Sequence, residues 1–414
     1  MNRQLIKGAD KLVTPVGFSA IHGKEMNNLK IIDNPVVYIE DGIIRMVGTQ
    51  SEIIPHLKEE FELIDVDGGC LVPGFVDSHT HFVFGGYRPD EFVERLGGTP
   101  YLEILANGGG IQSTVLSTKS DDEQRLYNSG RERLDEMLRQ GITTVEGKSG
   151  YGLDLETELK QLNVMTRLNE NHSVDIVKTY LGAHAVPEKM TADDYIDYII
   201  SEVLPKVKDS AEFCDVFCEE GVFSTAQSEK LLSAGKGIGL RAKIHADEIV
   251  SLGGAELSVD IKAVSADHLL AVSDEGIKKL AESETIATLL PCTAFCLNKP
   301  FAPARKMIDN GCAVALASDY NPGSCFTNNI SLLLALGVIS MGMTIEEAIT
   351  AITLNGAVAL GRADITGSIE PGKQADIVIL NKENYKFLVY NTVVNQVKGV
   401  IKYNQKLRLA ERVV

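Results

Sequence analysis

Positive charge is scarce in this chain. Its 414 residues carry 40 Lys and Arg against 57 Asp and Glu, a formal charge of -17. Nucleic acid and anionic membranes both reward clustered Lys and Arg, so neither is an expected partner. The opening segment MNRQLIKGADKLVTP lacks a long apolar stretch. By that pattern neither a signal peptide nor a membrane anchor is expected. Cysteine is sparse and odd in number, with seven spread over the chain. That distribution reads as reduced thiols and predicts a cytoplasmic protein. Cys214/Cys218 and Cys292/Cys296 share a spacing, but both pairs lie in apolar, strand-like runs and read as core thiols.

What is present fits an ordinary globular enzyme, at 44% hydrophobic and 23% charged residues. The length suits one large domain plus a smaller one. Residues 1–70 are rich in short β-type runs such as NPVVYIEDGIIRMVG, with Asp41-Gly42 marking a hairpin. That texture returns in 364–414 as ADIVILN and NTVVNQVKGVIKYNQKL. Between them, 71–363 alternates strand and helix patterns, as βα units around a parallel sheet do. Eight core strands are readable: CLVPGFVDSH, ITTVEGK, DIVKTYLGA, DVFCEE, LRAKIHA, AVSADH, TIATLLP and AVALAS. Eight closes a (β/α)8 TIM-type barrel, whose functional residues project from strand C-termini. The two β-rich ends are expected to pair into one small β-sandwich domain.

The ends of those strands carry the chemistry. His79 and His81 follow the first strand, and residues i and i+2 of extended chain share a face. Tyr151 lies beyond the second, His184 ends the third, and His245 ends the fifth with Glu248 three residues on. His268 ends the sixth and Asp319 the eighth. Five of eight histidines thus gather on one barrel face. Each alone also reads as a solvated loop or capping residue. Together, His79, His81, His245 and Asp319 form a donor set suited to zinc or iron rather than Mg²⁺ or Ca²⁺. Such an ion activates water and polarises a carbonyl. Glu248 is the expected proton shuttle. His268 and Asp319 are further catalytic candidates, steadying water or an oxyanion or acting as base. Strand four offers Cys218, Glu219 and Glu220 but no lysine to bridge two ions, so one divalent or trivalent ion per chain is expected.

These motifs resemble the amidohydrolase superfamily. The stretches FGGYRPDEFVERLGGTPYLEILANGGGIQST, GKSGYGLDLETELKQL, TYLGAHAVP, CDVFCEEGVF, KIHADE, SADHL and SDYNPGSC resemble its imidazolonepropionase family in particular. The resemblance implies a cytoplasmic homodimer that opens the ring of 4-imidazolone-5-propanoate to N-formimidoyl-L-glutamate. Such a substrate carries a propionate, and Arg88 suits it, a guanidinium fork matching a carboxylate. The bland alternative for Arg88 is a surface salt bridge to Asp90 or Glu91. Tyr151 and His184 are candidate hydrogen-bonding groups. By resemblance, Asn321, Gly323 and Ser324 also contact substrate or product, partly through main-chain groups. Tyr101 and Gly108-Gly109-Gly110 are candidates for a mobile flap. Two rivals are a purine or pyrimidine aminohydrolase on the same scaffold and a barrel that has lost its metal.

Overall fold

The computed structural model describes residues 2–57, 60–99, 109–403 and 408–409. At its centre eight strands run parallel in chain order. They are β1 (Phe75–Asp77), β2 (Ile142–Lys148), β3 (Asp175–Ala183), β4 (Phe213–Cys218), β5 (Arg241–Ala246), β6 (Ser265–His268), β7 (Ile286–Leu289) and β8 (Val314–Leu316). Each pairs with the next in parallel register. Just beyond the last and first strands, a Thr80–Tyr320 bridge closes the ring. There Asp319 N donates to His79 O at 3.0 Å and His81 N to Tyr320 O at 2.9 Å. The expected barrel is present.

Its strands are covered on both faces, which is why β2 is buried at every position. The intervening helices start on side-chain caps. Asp122 accepts from Arg125 N, Asp154 from Thr157 N, and Ser224 and Gln227 form a capping box. These caps satisfy orphan amides and fix where each loop ends.

The first strand departs from the sequence reading. CLVPGFVDSH reads as one strand, yet the chain changes sheets at Gly74. Cys70–Pro73 pairs antiparallel with Ile377–Leu380 and parallel with Lys11–Thr14. Only Phe75–Asp77 joins the barrel. A Cβ on Gly74 would sit 2.2 Å from Thr143 Oγ1, so no larger residue fits at the crossing.

Two further sheets come from the chain's ends. One orders Ile43–Thr49, Pro35–Glu40, Arg3–Lys7 and Glu62–Asp65. The other orders Arg408–Leu409, Val397–Ile401, Ile377–Leu380, Cys70–Pro73, Lys11–Thr14 and Lys30–Asp33. Ile6, Leu12, Val37, Leu71, Ile377 and Ile401 pack between them as a separate apolar core. The small sandwich is thus built from both ends, as expected. Lys402 ties it to the barrel, bonding Asp376 at 2.7 Å and Asp175, the first residue of β3, at 2.6 Å.

Candidate active site

At the C-terminal ends of the strands five imidazoles meet. Ring centroids lie 4.5 Å apart for His79 and His245, 5.4 Å for His79 and His81, and 5.0 Å for His245 and His268. His184 stacks on His81 at 4.9 Å, with Tyr151 5.8 Å from His81. His79, His81 and His245 each bring one ligand atom to within 4.8 Å of the others. Asp319 Oδ1 stands 3.5 Å from His79 Nε2 and 3.6 Å from His81 Nε2. Its backbone has φ +55°, a left-handed turn that aims the carboxylate back at the cluster. Thr293 Oγ1 donates to the other oxygen at 2.6 Å. Glu248 Oε1 lies 3.7 Å from His268 Nδ1.

Burial sets the protonation states. His79, His81 and His268 are held well below the ordinary histidine range by burial, then by neighbouring positive groups. For His79 the largest of these is Lys148; for His81 it is His184 and for His268 His245. His184 falls to about 3 for the same reason. These are neutral rings, the form that binds metal. His245 differs: burial works against its charge, but Asp215 outweighs it and raises the pKa. Burial lifts Asp319 to about 6 and, with the charge of Asp319, Glu248 to about 8. Nε2 of His79, Nε2 of His245 and both ring nitrogens of His268 are buried without a hydrogen-bond partner. Buried polar atoms are normally satisfied, so lone pairs left facing one space fit a divalent metal ion.

Farther out on the rim, Arg88 bonds Glu91 at 3.1 Å, as the bland alternative has it. The pair is not a surface one, with side chains only 11% and 9% exposed. The guanidinium lies against Gly323, where a Cβ would be 1.7 Å from its terminal nitrogen, and its Nε is buried without a partner. Asn321 is engaged in its own turn: Oδ1 accepts from Gly323 N and Ser324 N at 2.8 Å, and Nδ2 donates to Asp319 O at 2.7 Å. Its side chain shapes the turn that presents Asp319. Tyr101 and Gly108 lie outside the described residues.

Known proteins resemble this chain over nearly its whole length. The model of the Amidohydrolase family matches residues 230–404. The imidazolonepropionase of Clostridium tetani is 56% identical over 403 residues, covering 96% of both chains. That of Parabacteroides distasonis is 54% identical over 403 residues, covering 96% of this chain and 97% of its own. The chain belongs to the imidazolonepropionase family. Solved structures of other activities share the fold. An adenosine deaminase from Xanthomonas campestris with bound zinc superposes at TM-score 0.72 with 18% identity, covering 99% of this chain and 93% of that one. A guanine deaminase from C. acetobutylicum gives 0.69 with 14% identity, covering 98% and 100%.

Within this imidazolonepropionase-family chain, residue patterns left one layer of the site without a role. Beneath the imidazoles, Glu146, Lys148, Asp215, Lys243 and Asp267 are all fully buried. His79 Nδ1 donates to Asp267 Oδ2 at 2.6 Å. His245 Nδ1 lies 3.1 Å from Asp215 Oδ2, at an angle that misses a good hydrogen bond. Burial disfavours the Lys148 ammonium, but Asp215, Glu146 and Asp267 together raise its pKa. A sequence signal exists: Glu146 and Lys148, and Lys243 and His245, sit two apart inside apolar strands, the spacing of one inward face. Glu219, beyond β4, accepts from Ile249 N at 2.8 Å and so anchors the segment carrying Glu248.

Proposed function

We propose that this chain hydrolyses the cyclic amide of 4-imidazolone-5-propanoate to N-formimidoyl-L-glutamate, a step of histidine degradation. One zinc or iron ion per chain would be held by His79, His81, His245 and Asp319. The observation that carries this reading is the convergence of those four donors beside Glu248, in a chain more than half identical to imidazolonepropionases along nearly its whole length. His79, Glu146 and Asp267 make a second close donor group, but Lys148 and Lys243 already place ammonium groups 3.1 and 3.0 Å from Glu146, which favours a single ion.

A divalent ion bound there supplies Lewis-acid polarisation of the ring carbonyl and acidifies water. The chain's own residues do the rest. Glu248 carries a proton from the attacking water to the departing ring nitrogen, and a pKa shifted toward neutrality suits that task. His268 donates toward the oxygen on which charge develops, and Asp319 shares the base role. The water oxygen ends in the α-carboxylate, the carbon–nitrogen bond breaks, and the remaining ring nitrogen keeps the formimidoyl carbon. Arg88 holds the propionate, while Tyr151 and His184 hydrogen-bond the ring from the opposite side. Gly323 and Ser324 line the same edge, and Asn321 adds main-chain contact only. We place the enzyme in the cytoplasm, a reading supported by seven free thiols, and as a homodimer by likeness to its family.

Incubation with freshly made imidazolone propionate tests the activity by loss of its ultraviolet absorbance. The expected result is loss that stops after chelation and returns with added zinc or iron. An unchanged substrate, with ammonia released from guanine or cytosine instead, would overturn it in favour of an aminohydrolase.

A further inference from the structure

Resting on the metal reading above, we infer that Lys148 is a positioning residue that fixes which nitrogen of His79 and of His245 faces the ion. Its ammonium lies 2.6 Å from Asp215 Oδ2, 3.1 Å from Glu146 Oε2 and 3.6 Å from Asp267 Oδ2, all fully buried. The same Asp215 Oδ2 stands 3.1 Å from His245 Nδ1, and the same Asp267 Oδ2 accepts from His79 Nδ1 at 2.6 Å. One ammonium therefore adjoins both oxygens that face the two imidazoles. An ionised carboxylate only accepts hydrogen bonds, so it requires the proton on Nδ1 and leaves the Nε2 lone pair free. Nε2 of each ring is left without a partner; Nδ1 is hydrogen-bonded in His79, while in His245 it faces Asp215 at 3.1 Å without a well-aligned bond.

Lys243 does not duplicate this role. It bonds Glu146 at 3.0 Å and the Ser78 carbonyl at 3.1 Å, and stands 3.9 Å from Asp267. Without Lys148, Asp215 Oδ2 loses its 2.6 Å contact and is no longer held in place against His245 Nδ1, while Oδ1 keeps only the Val216 amide. Stability alone gives little reason for the arrangement, because fully buried ion clusters are commonly no better than apolar packing. Here three carboxylates face two ammoniums, leaving one negative charge directly under the proposed ion.

The test compares the parent with Lys148→Met and Asp215→Asn, using Co²⁺ as the probe. Affinity is read by competition with a chromophoric chelator, and geometry by the Co²⁺ visible absorption. Weakening of about 10–100-fold in both variants, with altered bands, is the expected result. Folded variants with parental affinity and parental bands would overturn the inference, since a purely structural lysine changes melting alone. If Lys148→Met does not fold, Asp215→Asn carries the comparison, being equal in size. The parent gives an answer that needs no variant: after chelation, ¹⁵N shifts should place a proton on Nδ1 of both His79 and His245, and a bare Nδ1 beside a protonated Nε2 in either ring sinks the idea. A parent that binds no Co²⁺ instead defeats the metal reading itself.

Discussion

Buried polar groups occupy two places in this molecule, and they are treated in opposite ways. At the seam between sandwich and barrel, Lys402 is matched by Asp376 and Asp175, and Lys373 Nζ by the carbonyls of Gly17 and Thr366. At the barrel mouth, imidazole nitrogens of His79, His245 and His268 are buried and unmatched. Leaving a buried donor or acceptor unpaired costs about 1–3 kcal/mol, so a fold retains such atoms where something outside the chain completes them. The satisfied cluster reads as architecture and the unsatisfied one as a site.

That contrast is broken most severely by His79→Ala, which removes a ring shared by the donor cluster and the acid layer. The expected outcome is a folded chain whose metal content, by elemental measurement, and turnover both fall to background. Glu248→Gln separates chemistry from metal holding: metal is retained and turnover drops by about 10²–10⁴-fold. The same variant has a pH signature in the chelated protein. Folding raises the Glu248 pKa to about 8, so the unfolded chain binds fewer protons between the ordinary value near 4.5 and 8. Parent stability therefore falls across that window, and the variant melts higher than the parent above pH 8. Equal melting at pH 9 would contradict the burial argument.

Arg88→Ala is expected to raise KM about tenfold or more with a smaller effect on kcat, as loss of a charged hydrogen bond does. An unchanged KM returns Arg88 to its pairing with Glu91. The smallest effect on chemistry belongs to the seam. Lys402→Met should cost about 3–5 kcal/mol of stability, seen in denaturant titration, because it strands the buried Asp376. Its kcat should match the parent's at a temperature where both are folded. A kcat that fell with the metal retained would erase the distinction between the two regions.

Much of this was legible in residue order. β2 and β3 begin and end where ITTVEGK and DIVKTYLGA do, since β-branched and aromatic residues mark both stretches as strands. His79, His81, His245 and Asp319 were legible because barrel chemistry sits at strand ends, so position and residue type agreed. The sheet change at Gly74 was not. It depends on Ile377–Leu380, some three hundred residues away, offering Cys70–Pro73 a partner. The acid layer stayed hidden for a similar reason: Lys148 meets Asp215 across 67 residues, and nothing local in ITTVEGK or DVFCEE shows that partner. The part the Asn321 side chain plays in its own turn was also hidden, because a polar side chain in a turn serves the turn as readily as a ligand.

The crossing at Gly74 bears on how the protein is made. Cys70–Pro73 leaves one edge bare until Ile377–Leu380 emerges, and the segment after β1, bonded on one side to the end of β2 through Thr80, has its other side open until Asp319 and Tyr320 arrive. During translation from the N-terminus, the histidine pair is synthesised early but seated nearly last. A nascent polypeptide on the ribosome thus carries an unfinished rim through most of its synthesis, since Asp319 is made long after His79 and His81.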